Sequence, residues 1–121
     1  MSETKLKPTE LKLHQESRVL EVAFDNGDKY ELPCELLRVY SPSAEVQGHG
    51  PGQETLQVGK EKVNIQGIEP VGNYAVCLRF DDGHETGIYS WDFLHDLGAN
   101  KDKKWDTYLQ RLEAAGHKRK A

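Results

Sequence analysis

Apolar and polar residues alternate along Arg18–Phe24, RVLEVAF: Leu20, Val22 and Phe24 fall on one side, and Val19, Glu21 and Ala23 on the other. A period of two marks a strand with one face in a core. Asp25-Asn26-Gly27 follows as a hairpin turn signal, and KYEL, Lys29 to Leu32, reads as the return strand. Pro33 then opens a short helix, PCELLRVY, because proline is tolerated in a first helical turn. The same order of signals recurs downstream. YAVCLRF alternates Val76, Leu78 and Phe80, Asp81-Asp82-Gly83 turns, and HETGIY returns. Ser90 is placed to cap the helix WDFLHDL, and Gly98 to stop it.

Phe24 and Phe80 are 56 residues apart, as are Gly27 and Gly83, whereas Leu36-Leu37 and Phe93-Leu94 are 57 apart. The two segments therefore align without a gap through the hairpin and with one extra residue after it. That pattern predicts a duplicated strand–turn–strand–helix unit, against the plainer reading of two hairpins alike by chance. Between the units lie a Gly-rich run and a further expected strand, EKVNIQGI, Glu61 to Ile68. After them Trp105, Tyr108, Leu109 and Leu112 fall at i, i+3, i+4 and i+7, one apolar helical face that closes the core. The fold class that follows is α+β: a mostly antiparallel sheet from two strand–turn–strand–helix units, with a C-terminal amphipathic helix.

The chain has 121 residues, 36% apolar and 30% charged, so one domain with a small core is expected over 9–115, between a polar arm (1–8) and a basic tail (116–121). No run approaches the ~20 apolar residues that span a bilayer, and MSETKLKPTE has no apolar core of a signal peptide. The expectation is a cytoplasmic protein without a membrane partner. A net charge of −4, with basic residues clustered only in HKRKA at the end, argues against nucleic acid. Two cysteines, Cys34 and Cys77, read as buried free thiols.

The run SPSAEVQGHGPGQ, Ser41 to Gln53, holds three glycines, two prolines and a histidine. Gly48, Gly50 and Gly52 miss the G-x-G-x-x-G spacing, and Lys60 is followed by Glu61 rather than Ser or Thr, so neither nucleotide loop is present. The histidines form no close ligand pair, and two cysteines cannot make a Cys-rich zinc site. Cys34 at a helix start and the serines lack the surroundings of an activated nucleophile. His49 and His84 each follow a glycine, where a side chain can be positioned and exposed. Asp81, Asp82, His84 and Glu85 are explained by a solvated hairpin tip with fewer assumptions than by a cation site. Tyr89 and Trp91 are core residues unless the loop face leaves them exposed, in which case they are interface anchors.

LRVYSPSAEVQGHGP, together with IEPVGNYAVCLRFDDGHETGIYSWDFL, resembles the gamma-butyrobetaine hydroxylase-like N-terminal domain family, over roughly residues 9–98 and as a free-standing bacterial member. In that family the related domain precedes the catalytic domain of carnitine-pathway dioxygenases and is attached to Mrp-type P-loop ATPases with iron–sulfur clusters. The dioxygenases hold a structural zinc with Cys-Pro-Cys-x-x-Cys and a distant histidine. Ser41, Ser43 and Val46 stand where those cysteines would be, Pro42 is kept, and His84 matches the histidine. One ligand of four survives, so the resemblance implies the loop without the thiolate site. The catalytic barrel has no room in this chain, so the activity is not carried over.

The reading is thus a non-enzymatic binding or adaptor module with a protein partner, a P-loop ATPase of iron–sulfur assembly or another metallo-enzyme being the one the resemblance implies. Its expected surface is Ser41, Ser43, His49, His84, Tyr89 and Trp91, and no cofactor is expected. The alternative is a weak iron or zinc site centred on His84, with His49, Asp82 and Glu85 as helpers.

Overall fold

A computed structural model describes residues 7–43 and 59–117. The first unit contains β1 (Pro8–His14), β2 (Val19–Phe24), β3 (Lys29–Pro33) and α1 (Cys34–Val39). The second contains β4 (Ile65–Val71), β5 (Ala75–Phe80), β6 (Ile88–Ser90) and α2 (Trp91–Ala99), and α3 (Lys101–Ala114) closes the chain. The strands form two antiparallel three-stranded sheets, ordered β1-β2-β3 and β4-β5-β6. The α+β class and the duplicated unit are both present, and each unit has one more strand than the hairpin alone predicts. The inward residues of both sheets meet in a single core: Leu20, Val22 and Leu32 with Ile65, Val76, Leu78 and Tyr89, sealed by Leu94 and Leu97 of α2. Burying side chains of this size contributes about 1.5–3 kcal/mol each.

The duplication extends to single hydrogen bonds. The Phe24 N–H donates to Asp28 O at 2.8 Å and the Phe80 N–H to His84 O at 2.9 Å. Gly27 and Gly83, at φ 94° and 91°, close the two turns in the left-handed conformation glycine adopts without strain. Asn26 Oδ1 accepts from the Asp28 N–H at 3.0 Å, and Asp82 Oδ1 from the His84 N–H at 3.1 Å. Both first strands shift register at the same place, between Pro8 and Glu10 and between Ile65 and Gly67. The helix starts are tied alike, the Cys34 N–H to Arg18 O (2.9 Å) and the Trp91 N–H to Tyr74 O (3.2 Å).

Three local expectations are corrected. The strand expected from Glu61 begins at Ile65, because Lys60 O accepts the Val63 N–H and holds a turn there. Gly98 does not stop α2: the helix runs to Ala99 and ends on Asn100, and Gly98 is buried where a Cβ would overlap the Tyr30 ring. Leu109 is 37% exposed, so α3 packs through Tyr108 and Leu112, with Trp105 beside them, against Val39 and Tyr40. Ser90 does cap α2, its Oγ accepting the Phe93 N–H at 3.1 Å.

Candidate functional site around the second hairpin tip

The segment after α1 and the turn after β5 meet because each unit's helix reaches the other unit's hairpin. Arg38 of α1 donates from Nε to Asp82 Oδ2 at 2.9 Å, and Lys60 Nζ donates to the same oxygen at 2.6 Å. Burial would raise the Asp82 carboxyl, but hydrogen bonds from Lys60, the His84 N–H and Arg38 outweigh it and hold the group at about 2. Ser41, which is fully buried, and His84 Nε2 lie 2.8 Å apart, hydrogen-bonded. The Ser43 N–H donates to Ser41 Oγ at 3.2 Å, and Ser43 Oγ bonds Thr86 Oγ1 at 2.7 Å. Tyr89 donates its hydroxyl to Leu37 O at 2.6 Å, and burial pushes its phenol well up.

This arrangement changes the expected surface. Ser41, Ser43, His84 and Tyr89 are brought together, but they are buried, so they form an internal polar cluster and not an exposed patch. The reason is the pseudo-symmetric packing: the end of α1 folds over the second hairpin, and Gly87 leaves just enough room for Ser41 Oγ. Tyr89 is 0% exposed and is corrected from interface anchor to core residue. Trp91 is half-buried at the opposite end of β5, where its indole N–H donates to Asn73 O at 2.9 Å. Glu85 is exposed and takes the Cys77 thiol on its carbonyl at 3.1 Å. His49 lies outside the described residues.

Chemically, the Ser41–His84 pair has the separation of a nucleophile and its base. Ser41 is nevertheless sealed from solvent, and Asp82 touches the His84 backbone N–H rather than its ring. The pair ties the end of α1 to the second hairpin. Nor do these residues fit a thiolate metal centre, since Ser41 and Ser43 already spend their hydroxyls on His84 and Thr86. Among the described residues no group of three or more His, Cys, Asp or Glu side chains is placed to hold a metal ion. Cys34 is pushed up to about 11 by burial, and the Cys77 thiol is raised by the same cause. Both are poor nucleophiles.

Arg38 and Lys60 were not anticipated. A charged residue inside the apolar run LLRVY was the available signal, because a buried guanidinium requires a partner from elsewhere in the fold. Glu35 is another such residue, 4% exposed, with Tyr108 of α3 donating to its Oε2 at 2.7 Å.

Among the described residues no helix is long and apolar enough to cross a membrane. Comparison with curated proteins gives no match. Several solved structures are similar, three of them as follows. A protein known from an NMR solution structure is 55% identical, with a TM-score of 0.82 and coverage of 98% of this chain and 90% of that one. A second NMR structure is 48% identical, with a TM-score of 0.81, covering 93% and 89%. A crystal structure from Acidithiobacillus ferrooxidans, of a protein with unknown function in the DUF971 family, is 40% identical, with a TM-score of 0.65 and coverage of 77% and 93%. The family model described as "Gamma-butyrobetaine hydroxylase-like, N-terminal" matches residues 11–95, well over half of the sequence, and the chain belongs to that family.

Proposed function

We propose that the chain is a protein-binding module without catalytic activity of its own, and that it docks through the outer face of its second sheet. The observation behind this reading is the contrast between the two outer sheet faces. On the first sheet the outward positions include Glu10, Lys12, His14, Glu21 and Lys29, laced by contacts such as Lys29–Glu21 at 3.0 Å. On the second, Ile88 lies beside Cys77 and is 48% exposed, on a face that carries one loose ion pair, Arg79–Glu69 at 3.9 Å, and Tyr74 in the turn before β5 is 57% exposed. Trp91 adjoins Tyr74 through its backbone N–H. Exposed apolar and aromatic side chains at the β6 edge and the neighbouring β4–β5 turn are the material of an interface core. The edge strand β6 is three residues long and offers backbone groups beside that patch.

The partner we put forward is a P-loop ATPase of iron–sulfur cluster assembly, on the strength of the domain combinations in the family that the sequence resembles. Direct binding of the purified ATPase, measured by calorimetry, tests it. Ile88→Asp and Tyr74→Ser are expected to weaken binding at least about tenfold, since each removes an apolar anchor worth roughly 1.4 kcal/mol or more. Binding that survives both substitutions would displace the docking face, and no binding by the wild type would remove this partner. The weak iron or zinc site on His84 takes second place. A metal there would have to exchange Ser41 from Nε2 and draw Asp82 away from two cations.

A further inference from the structure

The first sheet ends in an open edge. β1 is the outer strand of the order β1-β2-β3 and is seven residues long, against three for β6 at the margin of the other sheet. The bonds of β2 determine which backbone groups of β1 are open. The Phe24 N–H donates to Asp28 O and the Cys34 N–H to Arg18 O, so the even-numbered residues along β2 turn their backbone groups toward β3. An antiparallel ladder alternates, so Val19, Glu21 and Ala23 turn theirs toward β1, where they meet His14, Lys12 and Glu10. Leu11 and Leu13 therefore direct their N–H and C=O groups away from the sheet. Among the described residues nothing bonds to them.

The equivalent edge in the second unit is blunted. The register shifts place β4 57 residues after β1, so Leu13 corresponds to Pro70. The Trp91 N–H donates to Tyr74 O, which turns the even-numbered residues of β5 toward β6 and leaves Ile68 and Pro70 on the open side of β4. Proline offers no N–H there, and it is one of the means by which sheet edges are kept from pairing. β1 keeps both donors. Its Leu11 and Leu13 side chains lie on the core face beside Val22 and Leu20 and are only half-buried, so the core reaches the sheet margin uncovered.

The charges beside that edge select its occupant. Glu10 and Lys12 stand on the outer face, 51% and 53% exposed, in a loose pair at 3.5 Å. Two β1 strands laid antiparallel with Leu11 opposite Leu11 set Glu10 of each copy against Lys12 of the other. The open N–H and C=O groups of the two Leu11 residues then meet, and all four leucines stay on the core side. Moving the centre to Lys12 would set two lysines face to face, which weakens a ladder. We infer that β1 pairs with β1 of a second copy, antiparallel and centred on Leu11, to join the two first sheets into one. One strand per copy buries less than the roughly 1,200 Å² of a standard interface, so the dimer is weak, with a Kd on the order of 0.1 mM. The docking face proposed on the second sheet stays open in it.

The test is sedimentation velocity of the full chain from about 10 µM to about 1 mM, with circular dichroism as the check on folding. A dimer that grows with concentration is expected. Lys12→Glu sets Glu against Glu10 across the two copies and should lower the affinity at least about tenfold. Adding Glu10→Lys to Lys12→Glu should restore it, since lysine again faces glutamate. Lys12 also lies opposite Glu21 in its own copy, and the exchanged pair keeps that change, so recovery isolates the contact between copies. Leu13→Pro copies Pro70 without removing a bond between β1 and β2, and should leave a folded monomer. Should Leu13→Pro lose the strand signal, the exchanged pair decides. A monomer throughout the range, or an affinity unchanged by Lys12→Glu, overturns the proposal. So does a loss that the exchanged pair does not recover, and so does a dimer dissolved by Ile88→Asp, which would place the contact on the second sheet.

Discussion

At one end of the molecule the Tyr30 ring packs on Gly98 and His95 reaches Asp28 at 2.7 Å; at the other, Ser41 packs on Gly87 and Arg38 reaches Asp82 at 2.9 Å. These are equivalent positions exchanged between the units: Tyr30 corresponds to Gly87, Ser41 to Gly98, and Arg38 to His95, each 57 residues apart. Each helix clamps the other unit's hairpin. The first end fills its space with aromatic surface, where Phe24, Tyr30 and His95 pack edge to face. The second gives up that ring and uses the space for hydroxyls, a histidine and an ion pair. One backbone plan thus supports an apolar seal at one end and a polar cluster at the other, and the glycine of the contacting pair is on the helix at the first end and beside the return strand at the second.

The most severe way to break the comparison is Gly98→Ala, whose methyl would overlap the Tyr30 ring. A loss of about 2–3 kcal/mol is expected in denaturant unfolding, as for an overpacked core. Tyr30→Ala combined with Gly98→Ala copies the small-residue contact of the other end. The pair should recover at least about 1 kcal/mol relative to the sum of the single changes. Strict additivity would show that the two side chains do not compete for one space.

The next effect separates the two clamps. Arg38→Leu leaves Asp82 with the Lys60 ammonium and the His84 N–H and is expected to cost about 1–2 kcal/mol, less than a fully buried pair because the Asp82 side chain is 21% exposed. His95→Leu, which unpairs a more exposed carboxylate, should cost measurably less in the same unfolding assay. Equal losses would mean that burial does not distinguish the ends.

The smallest effect is in acid. Asp82 is held at about 2 in the folded chain against an ordinary 3.8, so the folded state favours its ionised form. Its contribution is fully present above about pH 4 and is lost as pH falls toward about 2. The stability gap between wild type and Asp82→Asn should shrink across that window, followed by circular dichroism. A gap that stays constant with pH would show that the Asp82 charge is not what Arg38 and Lys60 stabilise.

Much of this was legible in the chain itself. Two-residue alternation, Asn/Asp-Gly turns and the 56-residue spacing required two hairpins of one kind, each followed by a helix, because these signals are local backbone and periodicity constraints. Leu11 and Leu13 were the whole apolar signal of β1, too little to separate a strand from a polar arm. Gly98 looked like a helix stop because glycine so often is one, while its use here, clearance for Tyr30, depends on a residue 68 positions away.

What tertiary structure decided is which side chains are inside. Ser41, Ser43, His84 and Tyr89 sit in turns, a loop and a short strand whose local pattern is compatible with exposure, and they are buried because the end of one unit's helix closes over the other unit's hairpin. Burial of that kind is a property of pairs far apart in the chain, so it has no period and no motif. The same holds for the open edge of β1: the sequence determined that Leu13 stands where the second unit has Pro70, and only the pairing of each strand with its neighbour made that difference an edge with its donors intact in one sheet and a blunted edge in the other.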